Sequence, residues 1–288
     1  MKLALGTVQF GLPYGISNQG GKVIREDVKR ILALSRAIGI DTLDTAIAYG
    51  DSEACLGAVG IEGFNIITKL PIIPENVVDV GCWVRNQVQA SLHRLGVQTA
   101  YGLLMHQPQQ LLGIKGKAVV QALERLKAEG VIQKIGVSIY SPTELDPVFE
   151  ACQIDLVQAP FNLIDQRLNT TGWLQKLHDG GVEVHTRSTF LQGLLLMPST
   201  VIPEKFQPWS ELWNTWHDWL ANHPFSAAQA CISFVQAFPQ IDRMVVGVES
   251  VEQLGQLVEA AKKPLDAGFP DISCTDERLL NPSSWNLL

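Results

Sequence analysis

Eight short apolar segments alternate with stretches of helical periodicity along the 288 residues, and this alternation predicts a parallel (β/α)8 barrel of the TIM type. Two further observations support that class over an open or antiparallel sheet. The segment cores are near-continuously apolar, as strands covered on both faces require. No helix-free, Ser/Pro-rich linker interrupts the cycle, so residues 1–288 read as one domain, a length that barrels commonly reach.

The first strand runs from Lys2 to Val8 and is closed by Gly6-Thr7. A glycine-rich connection, Gly11 to Gly21, leads to a helix over Arg25 to Ile38, where Val28, Ile31, Leu32, Leu34 and Ile38 recur at helical spacing. Gly39 ends that helix, as a residue tolerant of positive φ can. Further strands are expected at Ile40 to Asp44, Phe64 to Lys69, Tyr101 to Met105, Lys134 to Ser138, Asp155 to Gln158, Val182 to His185 and Arg243 to Gly247. Between them the spacing predicts helices over Ser52 to Val59, Trp83 to Leu95, Lys117 to Glu129, Pro142 to Ala151, Thr171 to Asp179, Pro208 to Ala221 and Ser226 to Phe238. Val251 to Ala261 closes the ring. Two stretches fall outside the cycle: the Pro-containing loop Leu191 to Gln207 after the seventh strand, and the tail after Pro264.

Hydrophobic residues make up 46% of the chain and charged residues 18%, a balance that supports a large core. A net charge of -7 excludes an extended phosphate-binding surface for nucleic acid. Cys55, Cys82, Cys152, Cys231 and Cys274 form no Cys-x-x-Cys pair, which argues against a zinc knuckle or disulfide framework and for a reducing compartment. No apolar run is long enough for a signal peptide or membrane span, so a cytoplasmic location is expected.

The chemistry centres on Ile40-Asp-Thr-Leu-Asp-Thr-Ala-Ile-Ala-Tyr-Gly-Asp-Ser-Glu53. Asp44 ends a strand and Tyr49 lies five residues on, in the strand-to-helix loop, on the barrel face where catalytic side chains converge. A phenol is too weak an acid to give up its proton readily near neutral pH. A neighbouring ammonium favours the phenolate, and a carboxylate can hold that ammonium in place. Lys69 and Asp44 are placed at strand ends to do this, and His106 can orient a carbonyl oxygen or share the proton. Taken singly, each has a plainer reading: a turn cap for Asp44, a packed aromatic for Tyr49, a solvent-reaching lysine for Lys69 and a loop histidine for His106. All four would have to mimic the pattern at once.

The Asp44-Thr-Ala and Tyr49-Gly pair, with Ile66-Ile-Thr-Lys69, Leu103-Leu-Met-His-Gln-Pro108 and Ile135-Gly-Val-Ser138 in the same order, resembles the aldo-keto reductases. The resemblance implies hydride transfer from a nicotinamide to a carbonyl carbon, with Tyr49 as the acid, Lys69 its cationic partner, Asp44 the anchoring carboxylate and His106 the substrate-orienting imidazole. It places cofactor contacts at Gly6, Thr7, Ser138, Gln158, Arg187, Ser188, Gly193, Gly247, Glu249, Ser250 and Gln253. NADP(H) is the implied cofactor, and the partner is a small-molecule carbonyl compound or alcohol, with neither nucleic acid nor membrane. A weaker likeness to a bacterial branch points to carbohydrate-derived substrates. No feature of the sequence specifies an oligomeric state.

The chain departs from the family pattern at several positions. Ile139 follows Ser138 where an Asn is usual, and Arg187 stands where an aromatic stacks on the nicotinamide. Glu249 occupies the position of the Lys or Arg that binds the 2′-phosphate, and Gln256 and Leu257 replace the adenine contacts. A carboxylate there repels a 2′-phosphate but can accept a bond from a ribose hydroxyl, which makes NAD(H) the alternative. Arg243 or Lys262 could restore a cation. Trp209, Trp213, Trp216 and Trp219 read either as an aromatic wall over a sugar or as a packing stripe, and Trp285 is similarly open. His217 and His223 do not share a helical face, so no metal site is expected. The competing functions are an idle nucleotide-binding subunit of the same fold and a Schiff-base lyase using Lys69.

Overall fold

The computed structural model describes residues 2–16, 18, 20–263, 265 and 268–287. Eight parallel strands close into a barrel in sequence order: β1 (Leu3–Gly6), β2 (Thr42–Asp44), β3 (Asn65–Leu70), β4 (Ala100–Met105), β5 (Ile132–Ser138), β6 (Leu156–Pro160), β7 (Glu183–Arg187) and β8 (Arg243–Gly247), with β8 pairing back onto β1. Around them lie α1 (Arg25–Ala37), α2 (Ser52–Val59), α3 (Val80–Leu95), α4 (Gly116–Ala128), α5 (Leu145–Ala151), α6 (Arg167–Thr170), α7 (Trp173–Asp179), α8 (Ser210–Ala221), α9 (Ala227–Gln236), α10 (Val251–Ala261) and α11 (Glu277–Leu280). No helix among the described residues is long and apolar enough to cross a membrane.

The boundaries that differ from expectation have local causes. The first strand stops at Gly6 because Val8–Phe10 turn into a 3-10 segment. The helix read as Thr171 to Asp179 starts only at Trp173, because Gly172 adopts φ 79° and separates α6 from α7. Helix α3 begins three residues early, where the Asp79 carboxylate accepts from the Cys82 amide and caps it. The stretch after β7 folds as three 3-10 segments (Leu191–Leu196, Ser199–Val201, Glu204–Trp209). Pro208 lies inside the last of them, and α8 starts at Ser210 rather than Pro208.

The tryptophan stripe is packing. Trp213 and Trp216 are buried, and their indole N–H groups donate to the carbonyls of Phe206 and Leu195, pinning the long loop to α8. Trp219 donates to Gly268 O, and Trp285 packs edge-on to Phe206, so the tail is held against α8 and the 3-10 segment before it. None of these rings lines the cavity described below.

One apolar core lies between barrel and helices, and a small one, Ile67, Leu104 and Leu156, fills the bore. Gly136 makes that filling possible: a Cβ there would lie 2.4 Å from both Leu104 Cδ2 and Leu156 O. Below it, Glu183 accepts from Tyr101 (2.8 Å) and Lys134 and meets His185 Nε2 at 2.7 Å. Burial pushes the Glu183 carboxyl up, but the bonds from His185 and Lys134 outweigh it and hold the group down to about 2. A carboxyl lowered in the folded state stabilises above its unfolded value and stops doing so as pH falls through the folded one. Glu183→Gln is therefore expected to lose roughly 2 to 3 kcal/mol at neutral pH. The gap to wild type should close between about pH 4.5 and pH 2. Urea titrations at several pH values check this, and a gap independent of pH would refute the assignment.

Candidate active site

The loop after β2 carries Tyr49 and is tied at both ends. Thr45 N and Ile47 N continue the ladder by donating to Ile67 O and Lys69 O of β3. At the far end the Ser52 hydroxyl bonds the Thr7 carbonyl (2.8 Å) and lies 2.9 Å from Thr7 Oγ1 and 3.1 Å from Thr45 Oγ1. Glu53, 1% exposed, accepts from Thr68, Ser91 and Arg94, so the first turn of α2 is locked to β3 and α3 by a buried carboxylate. Gly11 lets the β1 loop touch this segment, since a Cβ there would fall 1.8 Å from Tyr49 O.

Three strand ends bring Asp44, Lys69 and His106 together, and the loop after β2 adds Tyr49. Lys69, 1% exposed, donates to Asp44 Oδ1 (2.8 Å), Asp44 Oδ2 (2.7 Å) and Thr45 O (2.8 Å), using all three ammonium hydrogens. Burial works against that charge, but the Asp44 carboxylate and the Tyr49 phenol outweigh it and keep the ammonium above its ordinary range. Its Nζ lies 5.0 Å from the centre of the Tyr49 ring, and the His106 ring meets Tyr49 edge-on at 5.9 Å. Burial, with Lys69 and Arg187 adding to it, pushes His106 down to about 4. The imidazole is therefore neutral near pH 7 and can donate one hydrogen bond without carrying charge. A half-buried phenol between a fixed ammonium and a neutral imidazole is an arrangement able to pass a proton to an oxygen at the cavity mouth.

A cavity of about 340 Å³ opens beside Tyr49 and Asp44. Its wall includes Gly6 and Thr7 at the end of β1, Arg187, Ser188 and Gly193 from β7 and its loop, Gly247 and Glu249 at the end of β8, and Gln253 on α10. Ser250 is not part of that wall; its hydroxyl caps α10 by accepting from Gln253 N. The Gln253 side chain accepts from Glu249 N. Ser138 and Gln158 lie behind Asp44: the Gln158 amide donates to Asp44 Oδ1 (2.6 Å) and accepts from the Ser138 hydroxyl (3.2 Å). The Arg187 guanidinium sits 4.6 Å from the centre of the Tyr140 ring and donates to Ile139 O. Arg243 and Lys262 are paired elsewhere, with Asp41 and Glu259, so neither places a cation at Glu249.

Several wall residues were not singled out by motif reading. Tyr14 and Gln192 join the β1 and β7 loops, with Gln192 Nε2 donating to Tyr14 Oη (3.1 Å) and Ile16 N to Gln192 O (3.2 Å). Ser188, Leu191 and Gln192 all have positive φ, strained for side-chain-bearing residues, and buried Asn162 steadies the first by donating to Ser188 O. Runs of such backbone cluster at ligand clamps. The wall also offers unsatisfied groups: the hydroxyl of Thr189, 2% exposed, and Gln9 Oε1 have no partner among the described residues. At Gly247 a Cβ would lie 2.5 Å from the Gln9 amide, so the bare backbone forms part of the cradle. Orphaned polar atoms, glycine walls and the start of α10 together suit a nucleotide. Among the described residues no three His, Cys, Asp or Glu side chains are placed to share a metal ion.

Comparison with known proteins agrees with the geometry. The chain is 26% identical over 260 residues to the Bacillus subtilis (strain 168) protein named uncharacterized oxidoreductase YqkF, covering 82% of this chain and 83% of that one. It is 26% identical over 195 residues to a Pseudomonas sp. D-threo-aldose 1-dehydrogenase, covering 65% and 59% of the two chains. Among solved structures, the holo form of an aldo-keto reductase from Bacillus halodurans superposes with a TM-score of 0.72 at 20% identity, covering 92% of this chain and 88% of that one. A glycerol dehydrogenase from Gluconobacter oxydans gives 0.68 at 21% identity, over 100% and 91% of the chains. At such identities the structural likeness speaks for the fold alone. The sequence model of the aldo/keto reductase family, however, matches residues 2–269, and the chain belongs to that family.

Proposed function

We propose that this protein is a nicotinamide-dependent oxidoreductase that interconverts a carbonyl compound and its alcohol, with Tyr49 delivering and reclaiming the proton. The observation that carries this reading is the Lys69 ammonium, buried and fully hydrogen-bonded, 5.0 Å from the phenol ring at the edge of the cavity. When bound, the dinucleotide supplies hydride to the carbonyl carbon. Tyr49 protonates the carbonyl oxygen, Lys69 stabilises the phenolate left behind, Asp44 holds Lys69, and His106 orients the oxygen through a neutral N–H. The cavity walls at Gly6, Thr7, Ser188, Gly193 and Gly247 would hold the dinucleotide. The relative named for an aldose favours a hydroxyl-bearing substrate. An idle binding subunit has no use for this buried proton-transfer group.

Glu249 favours NADH over NADPH. Its carboxyl lies on the cavity wall, makes no ion pair among the described residues and is pushed up by burial. A 2′-phosphate beside it is repelled, whereas a ribose hydroxyl can donate to it. Parallel fluorescence titrations with NADH and NADPH are expected to show binding well below millimolar, with NADH tighter. Glu249→Arg should move the ratio of dissociation constants toward NADPH by about tenfold, equivalent to roughly 1.4 kcal/mol. Binding of neither dinucleotide would overturn the oxidoreductase reading, and an unchanged ratio would remove Glu249 from the ribose.

A further inference from the structure

Tyr14 is a loop residue held from two sides of the cavity mouth. Gly15 beside it has φ 105°, which glycine adopts without strain, and the turn lets Ile16 N donate to Gln192 O (3.2 Å). The Asn18 amide donates to Tyr14 O (3.2 Å) and to Gly21 O. Across the opening, Gln192 stands at φ 53°, ψ 26° in the strained run after β7, and its Nε2 donates to Tyr14 Oη (3.1 Å). The phenol, 42% exposed, lines the same cavity as Tyr49. Strained backbone and hydrogen bonds from two loops thus converge on fixing one hydroxyl. We infer that Tyr14, aimed by Gln192, is a specificity-determining residue that hydrogen-bonds a hydroxyl of the substrate, so that the compound reduced here is a hydroxyaldehyde or hydroxyketone.

The group recognised follows from what Tyr14 has left to offer. Its oxygen accepts from Gln192, which leaves the O–H to donate and a lone pair to accept. A hydroxyl can use both, a carboxylate or phosphate oxygen only the first, and an aliphatic chain neither. Burial holds the Tyr14 phenol above its ordinary value, with Arg187 and the Gln192 bond pulling the other way and Tyr49 and Tyr140 adding to the rise, so near neutral pH the proton stays in place to be donated. Arg187, Tyr49 and Tyr140 face it from β7, the β2 loop and the β5 loop, and none of them hydrogen-bonds its hydroxyl among the described residues. A substrate without the matching oxygen leaves this O–H unpaired once it has displaced water from the mouth, and that difference discriminates.

The inference rests on the proposed oxidoreductase reading and names the substrate class of the same site. Its test compares kcat/KM with NADH for DL-glyceraldehyde and for propanal, the same carbon chain without hydroxyls, in the wild type and in Tyr14→Phe. Taking the ratio of the two aldehydes in each protein cancels their different intrinsic reactivity. The expected result is a preference for glyceraldehyde that falls by about two- to tenfold in Tyr14→Phe, the worth of one neutral hydrogen bond. Gln192→Asn suits the same left-handed backbone but shortens the amide that aims the phenol, and should lower the ratio less. A ratio unchanged in Tyr14→Phe overturns the inference, and if NADH binding weakens at the same time, Tyr14 serves the dinucleotide instead. A wild type that binds NADH and reduces neither aldehyde sinks the oxidoreductase reading and this inference with it. One that reduces both, with the ratio unmoved by Tyr14→Phe, sinks the inference alone.

Discussion

Tyr49→Phe is expected to lower the rate of carbonyl reduction by about 100- to 10,000-fold, the range a positioned general acid supplies. Dinucleotide affinity should stay within about twofold, because the ring remains and only the hydroxyl is lost. The size of the loss follows from the surroundings. Lys69 is fixed by three hydrogen bonds and cannot swing out to donate in place of the phenol. Burial pushes His106 down to about 4, so near pH 7 its neutral imidazole is no ready source of a proton. Steady-state rates with NADH, paired with the binding titration, check this. Turnover retained within tenfold would move the acid elsewhere.

Lys69→Met should produce the largest loss of stability. Removing one partner of a buried pair strands the other, a penalty of about 3 to 5 kcal/mol. Asp44, with a side chain 6% exposed, would keep only the Gln158 amide among the described residues. A drop in Tm of roughly 6 to 15 °C is expected for a chain of this size. Adding Asp44→Leu to Lys69→Met removes the stranded carboxylate and should recover part of that stability while restoring no activity. A double variant no more stable than the single one would show that Lys69 acts through packing rather than charge.

Much of this is legible in the sequence. Strand ends at Asp44, Lys69 and His106 follow from apolar runs that stop at a polar residue, and parallel strands deliver such ends to one rim. The boundaries that moved did so where a single residue overrode the pattern, as Gly172 does between α6 and α7 and Pro208 does before α8. Glu53 carries no local signal of its role. Its buried role depends on Ser91 and Arg94, which are about forty residues away and invisible to local spacing. The glycine-rich connection after β1 has no periodicity to mark it, yet its tie to Gln192 makes it part of the cavity wall.

By itself, then, the order of residues determined the barrel, the helices that clothe it and the four side chains at its rim, because periodicity and the ends of apolar runs are local properties of a chain. Tertiary structure alone decided that Gln158 reaches Asp44 across the bore, that Arg243 and Lys262 are bound to other carboxylates and leave Glu249 without a cation among the described residues, and that the tryptophans pin a loop rather than line a site. Those outcomes depend on which strands stand opposite one another once the ring closes, and on which partner each long side chain can reach.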